Sequence, residues 1–387
     1  MPSGRRSFPR RTGRRGRIIA DLGPGRRAAG LAYSRPMPGD GPRRSPPIGA
    51  APSQDPPTMP RVGRARLGWT MSLVLENLTK RFGPTVALDG VSFEAPAGRI
   101  FGFLGANGAG KTTAMRIILD ILRPDAGRVT WRGIPTETLP RNTWGYLPEE
   151  RGLYPRMRVL DQLVFIGVLF GLSRREAADR ARGWLARFRI ADSADRRAEE
   201  LSKGNQQKVQ VIAAILHDPE ILLLDEPFSG LDPVNANLLK EALLELNARG
   251  RTIVFSTHQM DQVEELCHAI AIIDRGRLVL AGPLAEVKRS TGKRVVRIGA
   301  SDGRLDWLAE LDGVRVTRVG QDYTEAEVAA GRDPAIVLAE ALRRGTYVTR
   351  FEIGDPSIEQ IFIERVGRAP AEEEGRLAPA ATPEVLG

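Results

Sequence analysis

A glycine-rich stretch between an apolar run and a predicted helix is the strongest constraint on how this chain folds. The run at 99–104 is apolar after its first residue, which is typical of a strand buried on both faces. The helix is predicted to follow Gly110 and to end near Leu122, before a turn at Pro124. The stretch between them, 105–112, fits the pattern G-x-x-x-x-G-K-[ST]. A strand, this loop and a helix in that order predict a site for a nucleoside triphosphate.

Further apolar runs alternate with helical segments along the chain. They predict buried strands at 220–225, 252–256 and 270–273. Helices are predicted at 160–170, 173–188, about 202–218 and 232–250. Strands that alternate with helices over this length indicate a mainly parallel α/β sheet with an inserted helical lobe.

The residues of the glycine-rich loop suit phosphate chemistry. Its glycines allow backbone N–H groups to curl around phosphate oxygens, and the N-terminus of the following helix adds partial positive charge. Lys111 is expected to reach the β- and γ-phosphates, and Thr112 to bind Mg²⁺ through its hydroxyl. The loop consists of Gly105, Ala106, Asn107, Gly108, Ala109, Gly110, Lys111 and Thr112. A glycine-rich turn that matches the pattern by accident is the weaker interpretation in this context.

Two adjacent acids end the strand predicted at 220–225. Asp225 lies 114 residues beyond Lys111, and Glu226 follows it directly. Asp225 is suited to hold Mg²⁺ through water, and Glu226 to take a proton from an attacking water. The alternative is that the two acids only cap the end of a strand. We favour the chemical role, because buried acids cost free energy unless they have partners.

A second helix start lies upstream of these acids. The segment 201–205 reads Leu-Ser-Lys-Gly-Asn and opens a predicted helix, whose free N–H groups suit a further phosphate. Ser-x-Gly by itself is more often a helix cap than a site. Ser202 lies 23 residues before Asp225, and this position favours a functional role.

Together these motifs resemble the nucleotide-binding domain of an ATP-binding-cassette (ABC) ATPase over roughly residues 73–284. The resemblance implies an α/β fold of the P-loop NTPase class, with a mainly parallel core sheet, an antiparallel β subdomain and an inserted helical subdomain. It also implies that two domains pair head to tail around ATP and Mg²⁺. Each ATP would lie between the phosphate loop of one copy and the signature, 201–205, of the other.

The same resemblance implies roles for individual residues. Nucleotide contacts are implied for Phe82, which would stack on adenine, for Thr113 in the phosphate loop, for Ser202 and Gly204 in the signature, and for Asp232 in the loop that communicates across the dimer. Catalytic roles are implied for Glu226 as general base and for Lys111 and His258, the switch histidine, as groups that stabilise the transferred charge. Mg²⁺ would be held by Thr112, Asp225 and Glu149.

Two parts of the pattern depart from the family. Glu149 stands where the family usually has Gln, and a carboxylate approaches Mg²⁺ but cannot donate an amide hydrogen bond. The signature has Lys203 and Asn205 where the family has Gly and Gln. Lys203 would add a cation near the phosphates, and we expect ATP hydrolysis to be retained. These departures and the ending at 355–364 resemble the ATP-binding subunits of ABC-2-type exporters, including sodium-extrusion and drug-resistance systems, which carry a small C-terminal domain.

The predicted domain boundaries follow changes in composition and in the pattern of predicted strands and helices. Residues 71–288 form the ATPase domain, with its helical subdomain at about 150–217. Residues 289–366 alternate strands and helices in a split β-α-β order and form a small C-terminal α+β domain. Residues 1–70 are interpreted as a disordered extension, and 367–387 as a flexible tail.

The extension holds the basic charge of the chain. It contains fifteen Arg, three Asp and neither Lys nor Glu, so its net charge is +12. Because the whole chain has a net charge of +10, the other 317 residues together carry −2. Twelve of the 28 prolines also lie there. A transit peptide, a basic arm for nucleic acid and a membrane-surface anchor stay open as its function. We favour a fourth interpretation, in which Met71 is the true start.

Composition excludes several classes of protein. The single cysteine, Cys267, cannot form an internal disulfide or a cysteine-based zinc site, which favours a reducing compartment. The longest apolar run, 163–172, is shorter than the roughly eighteen residues that a membrane-spanning helix needs. This run suits either the core of the helical lobe or a contact with a helix of a membrane subunit.

The expected function is ATP hydrolysis that powers an ABC-type exporter through nucleotide-driven closure of a dimer. We expect a cytoplasmic subunit, peripheral on the inner face of the cell membrane, with an integral membrane permease and a second ATP-binding domain as partners and no nucleic acid. One alternative is a soluble ABC ATPase for DNA repair or ribosomes, but neither a sustained heptad run nor a second phosphate loop is found. The other is a regulatory module that does not hydrolyse ATP, which Glu149 and Lys203 permit.

Overall fold

The computed structural model describes residues 72–150 and 152–367. The predicted extension, 1–70, and the predicted tail beyond Gly367 lie outside these ranges. The strands are β1 (Ser72–Phe82), β2 (Thr85–Pro96), β3 (Ile100–Leu104), β4 (Ala126–Trp131), β5 (Ile134–Pro135), β6 (Trp144–Leu147), β7 (Ile221–Asp225), β8 (Thr252–Thr257), β9 (Ala269–Asp274), β10 (Arg277–Pro283), β11 (Arg294–Ala300), β12 (Val314–Val319), β13 (Thr324–Val328) and β14 (Val348–Gly354). The helices are α1 (Lys111–Ile118), α2 (Val159–Leu169), α3 (Arg174–Arg187), α4 (Lys203–Ile215), α5 (Pro233–Ala248), α6 (Met260–Leu266), α7 (Leu284–Arg289), α8 (Ala335–Arg343) and α9 (Ile358–Val366).

Six strands form the central sheet, in the order β10-β9-β3-β8-β7-β6. Strands β9, β3, β8, β7 and β6 run parallel, and β10 joins the edge antiparallel to β9. Every residue of β3, β7 and β8 is buried, as their apolar runs predict. Because parallel strands end at the same edge of a sheet, the loops that follow β3, β7 and β8 lie close together there.

Each face of the central sheet is covered by a separate apolar core. On one face lie the antiparallel sheet β2-β1-β4-β5 and α1, and Phe93 of β2 stacks on Phe101 of β3 with ring centroids 5.3 Å apart. Helices α4, α5 and α6 contribute to the core on the other face. Helices α2, α3 and α4 contact one another and form the helical lobe inserted between β6 and β7. Within the described ranges, no helix combines the length and apolar character needed to cross a membrane.

The C-terminal sheet has the strand order β12-β13-β11-β14, with antiparallel pairing throughout. This is the order of a split β-α-β fold, in which a 3-10 turn at Asp306–Glu310 takes the place of the first helix. Val296 and Ile298 of the sheet share a core with Leu308 of that turn and Val337 of α8. The sheet therefore has a core of its own.

The last helix, α9, returns from the C-terminal sheet to the core of the ATPase domain. Ile358, Ile361 and Phe362 are buried in the same apolar core as α6. The helix begins with a capping box, in which Ser357 Oγ accepts from Gln360 N–H and Gln360 Oε1 accepts from Ser357 N–H. Because burial of a large apolar side chain stabilises a fold by roughly 1.5–3 kcal/mol, α9 joins the two domains firmly.

Candidate nucleotide-binding site

The phosphate loop has a backbone that only glycine accommodates at two positions. Gly110 has φ +109°, and a Cβ atom there would lie 2.5 Å from the carbonyl oxygen of Ala87. A Cβ atom at Gly105 would lie 2.5 Å from the carbonyl oxygen of Ile273. The loop is closed by a hydrogen bond of 3.1 Å from Ala109 N–H to the carbonyl of Ala106. Gly105 and Gly110 therefore allow the tight turn of the loop that precedes α1.

A cavity of about 380 Å³ lies beside this loop. Among the residues proposed from the sequence, the lining contains Ala106, Asn107, Gly108, Gly110, Lys111, Thr112, Thr113, Glu149, Asp225 and Glu226. It also contains three residues of β2 that sequence reasoning missed, Thr85, Val86 and Ala87. Phe82 pairs with Thr85 in the β1–β2 hairpin, and its side chain is half exposed at 50%. An exposed aromatic ring next to the lining is available for stacking on a base.

Lys111 is the first residue of α1, and its side chain is hydrogen-bonded to the phosphate loop. Its Nζ donates to the carbonyl oxygens of Gly105 at 2.6 Å and Ala106 at 3.2 Å. The same atom lies 3.6 Å from Glu226 Oε1, and the lysine is only 6% exposed. A buried cation is thus fixed in the cavity, where phosphate oxygens would replace weaker carbonyl partners.

Asp225 and Glu226 are positioned by the register of two parallel strands. Asp225 ends β7 opposite Ser256 of β8, and the Ser256 hydroxyl donates to Asp225 Oδ1. Ser256 Oγ also accepts from the Glu226 N–H at 3.1 Å. Asp225 is 1% exposed, and its Oδ2 has no hydrogen-bond partner among the described residues. A buried carboxylate oxygen without a partner fits a magnesium ion or a water bound to one.

Glu226 lies between two basic side chains. Its Oε2 is 3.1 Å from His258 Nδ1, while Oε1 faces Lys111. His258 follows the end of β8, so the order of parallel strands brings it to the cavity edge. The structure therefore places Lys111 and His258 on either side of the Glu226 carboxylate.

Glu149 adds a third carboxylate to the same cavity. Burial raises the pKa of Glu149, and the nearby charges of Asp225 and Glu226 raise it further, against the opposing effect of Lys111. Side-chain oxygens of Thr112, Glu149, Asp225 and Glu226 line this cavity, and hard divalent cations prefer oxygen ligands. The residues present therefore fit Mg²⁺.

We predict that Glu149→Gln weakens binding of the divalent cation and stabilises the metal-free protein. Removing one of three like charges lowers the attraction for Mg²⁺ and relieves repulsion with Asp225 and Glu226. The Mg²⁺ concentration for half-maximal ATPase rate should rise about three- to tenfold, since one charge at this range contributes on the order of 1 kcal/mol. The unfolding temperature in EDTA should rise. Glu137→Gln is the control, since Glu137 is exposed and lies outside the cavity lining, and equal shifts in both variants would contradict this role.

Six of the residues proposed to bind nucleotide lie outside the cavity lining: Phe82, Gly105 and Ala109, which adjoin lining residues in the sequence or by strand pairing, and Ser202, Gly204 and Asp232, which do not. Ser202 caps α4 by accepting from Asn205 N–H, and Asp232 caps α5 by accepting from Asn235 N–H at 2.9 Å. Gly204 lies beside this second cap, where a Cβ atom would be 3.7 Å from Asn235 Nδ2. Ser202, Gly204 and Asp232 thus form a separate surface cluster, and one copy of the chain does not bring it to its own phosphate loop.

The fold and the site together define a P-loop ATPase of the ABC type. The family model described as ABC transporter matches residues 88–229, and that of the C-terminal domain of DrrA1-3-like ATP-binding proteins matches residues 282–366. The uncharacterized ABC transporter ATP-binding protein YhaQ of Bacillus subtilis is 45% identical over 304 residues, which cover 76% of this chain and 98% of that protein. The chain belongs to the family of ABC transporter ATP-binding proteins.

Other relatives and solved structures agree with this assignment. The Nod factor export ATP-binding protein I of a Rhizobium species is 33% identical (77% of this chain, 98% of that protein), and the linearmycin resistance ATP-binding protein LnrL of Bacillus subtilis is 31% identical (76% and 98%). The solved ATP-binding subunit of an ABC transporter superposes with a TM-score of 0.54 at 30% identity (57% and 93%). A dimeric ATP-binding cassette with ADP and Pi superposes with 0.51 at 25% identity (55% and 98%).

These findings establish the class of activity. The chain is an ATP-binding subunit of an ABC transporter and an ATPase, as members of this family power transport by hydrolysing ATP. Subunits of this family dimerise and pair with membrane permease components. The relatives favour the transporter interpretation over a soluble ABC ATPase for DNA or ribosomes.

Proposed function

We propose that this subunit powers export by seating a helix of a membrane permease in an apolar groove beside the nucleotide cavity. The observation that carries the proposal is a cavity of about 440 Å³ between the helical lobe and the core domain. Its apolar lining includes Leu119, Ile121, Pro148, Leu153, Ile166 and Phe170. Export, as opposed to import, is suggested by the names of the Nod factor and linearmycin relatives.

The groove and the nucleotide cavity share one loop. Pro148 and Gly152 line the groove, while Glu149, directly after Pro148, lines the nucleotide cavity. Gln210 of α4 also lines the groove and donates from Nε2 to the carbonyl oxygen of Glu150 at 3.3 Å. A permease helix bound in the groove would therefore contact both the loop that contains Glu149 and helix α4, which follows the signature, so a movement of either element would be transmitted to it.

In the proposed reaction, Glu226 takes a proton from the attacking water. Lys111 and His258 stabilise the charge that develops on the transferred phosphoryl group. Mg²⁺, when bound, neutralises charge on the β- and γ-phosphates. Thr112, Asp225 and Glu149 would hold the ion, and Ser256 would keep the Asp225 carboxylate in place.

The separate cluster at Ser202, Gly204 and Asp232 would complete the site in a dimer. We propose that two copies close head to tail, so that the signature of each meets the γ-phosphate bound by the other. ATP would favour the closed pair by binding it more tightly than the open one, and hydrolysis would remove that preference. The same proposal places the subunit on the cytoplasmic face of the membrane, where ATP is available.

Co-purification with a groove variant tests the transport proposal. We expect the tagged full chain, incubated with MgATP and detergent-solubilised native membranes, to retain a polytopic membrane protein. Ile121→Glu should reduce its recovery at least about tenfold, because a charge desolvated in an apolar groove costs over 1.4 kcal/mol. Ile121 is 60% exposed, so the fold should survive, and the basal ATPase rate should be kept.

The control is Ile134→Glu, a similarly exposed residue, 49%, that lies on β5 away from the groove lining. It should retain the membrane protein at the wild-type level. Recovery of ribosomal or DNA-repair proteins instead, or equal recovery with both variants, would contradict the proposed function.

A further inference from the structure

Helix α6 begins just after His258 and is too short to be stable without contacts from other elements. It spans seven residues, Met260–Leu266, and begins two residues after His258. Isolated helices of this length are unstable, so contacts from other elements decide where α6 lies. His258 lies between the end of β8 and the start of α6, so the placement of both elements bears on its distance of 3.1 Å from Glu226.

Glu264 ties α6 to the C-terminal part of the chain at two points. Its Oε1 accepts from the Ile358 N–H, the first helical residue of α9, at 2.6 Å. Its Oε2 lies 2.7 Å from Lys288 Nζ of α7, and hydrogen bonds to a charged carboxylate are among the stronger ones in proteins. The carboxylate also faces the positive end of the α9 dipole.

Apolar packing places α9 against α6 at the same junction. Ile358 and Phe362 of α9 are fully buried, as is Val263 of α6, and all three belong to one core. The two helices are in contact. The Glu264 hydrogen bonds therefore act on helices that packing already holds together.

The opposite side of α9 is bound to the C-terminal sheet. Gln360 Nε2 donates to Glu325 Oε1 of β13 at 2.9 Å. Lys293 bridges Glu364 of α9, at 2.9 Å, and Glu327 of β13, at 3.2 Å. The C-terminal domain is thus connected through α9 and Glu264 to the helix that begins beside His258.

We infer that Glu264 is a positioning residue for ATP hydrolysis, through which the C-terminal domain holds α6 so that His258 meets Glu226. This inference rests on the catalytic role proposed for His258. It assigns the C-terminal domain a part in setting the turnover rate, although no residue of that domain lines the nucleotide cavity within the described ranges.

The test is a double-mutant cycle on the ATPase rate of the full chain. Glu264→Ala should lower kcat about tenfold, which corresponds to the loss of one or two hydrogen bonds to a charged group. KM for ATP should change by less than about twofold, since Glu264 lies away from the cavity lining. Adding Glu264→Ala to His258→Ala should cost nothing further, because Glu264 acts only through the histidine.

Two further variants separate positioning from loss of folding. Glu264→Gln keeps an oxygen that accepts from the Ile358 N–H, so its kcat should lie between those of the wild type and Glu264→Ala. If Glu264→Ala lowers the unfolding temperature below the assay range, Glu264→Gln replaces it in the cycle. Glu265→Ala is the control on the same helix, where the exposed Glu265 pairs with Lys240 of α5, and its rate should stay unchanged.

Different results would overturn different claims. Equal losses from Glu264→Ala with and without His258 would overturn this inference and leave the proposed function intact. Full activity of His258→Ala would remove the histidine from the proposed function and overturn the inference with it. An unchanged kcat in Glu264→Ala, with His258→Ala impaired, would overturn the inference alone.

Discussion

Glu226→Gln is expected to reduce kcat for ATP hydrolysis by about 100- to 1,000-fold and to leave the Kd for ATP within about twofold of wild type. An amide has the shape of the carboxylate but cannot accept a proton from water. Glu226 is 7% exposed and Lys111 keeps its two loop carbonyls as partners, so the phosphate loop should not be disturbed. The substitution therefore removes the general base without changing the affinity for ATP.

The same variant reports on the dimer. Because ATP would bind without being consumed, the closed pair should accumulate, and light scattering with MgATP should show a dimer where the wild type shows a mixture. Phosphate release measures the rate, and a fluorescent ATP analogue measures the affinity. Glu220→Gln is the control, since Glu220 precedes β7 at the far end from Glu226 and pairs with Arg132 at the surface. Normal turnover of Glu226→Gln would remove Glu226 as the base.

The central strands and the phosphate loop were predictable because their signals are local. A continuous apolar run needs burial on both faces wherever it occurs, and the strands at 99–104, 220–225 and 252–256 were confirmed. Helix α1 ends earlier than predicted, at Ile118 instead of near Leu122. Asp120 has φ +54°, a left-handed backbone conformation that ends the helix. The pattern of apolar side chains in the sequence does not reveal this conformation.

Elements that depend on distant contacts were missed. Strand β6 has only four residues and includes Gly145, where a Cβ atom would lie 2.3 Å from the carbonyl oxygen of Ala214 in α4. That glycine is required by packing of a helix about 70 residues away, which the local sequence does not show. Helix α9 was missed for a different reason: Ser357 and Gln360 form a capping box, a local signal that was available.

Sequence reasoning singled out most residues of the cavity lining, but it did not reveal how they are arranged. The sequence supplied the lining acids and the loop, whereas Ser256 and Thr85 entered only through strand pairing. The register of β7 against β8, which places Ser256 opposite Asp225, follows from long-range packing. A polar residue near the end of a buried strand is the signal that would have singled out Ser256.

Lys111→Met is expected to raise the Kd for ATP at least about 100-fold. Lys111 is the one residue of the cavity lining that carries a fixed positive charge within the described ranges, and two charge-assisted hydrogen bonds to phosphate are together worth roughly 3 kcal/mol. The methionine side chain fills similar space but cannot donate. The loss should be largest for ATP, smaller for ADP and absent for adenosine, because the lysine is expected to reach the β- and γ-phosphates.

The variant should also lower the unfolding temperature in the absence of nucleotide. Glu226 Oε1 loses the cation at 3.6 Å and stays buried, which costs free energy unless the carboxyl takes up a proton. Isothermal titration with ATP, ADP and adenosine measures the three affinities, and Lys240→Met is the control, since Lys240 of α5 pairs with Glu265 outside the cavity lining. An equal loss for all three ligands would point to a damaged cavity, whereas a loss graded by phosphate number would mark Lys111 as a phosphate ligand.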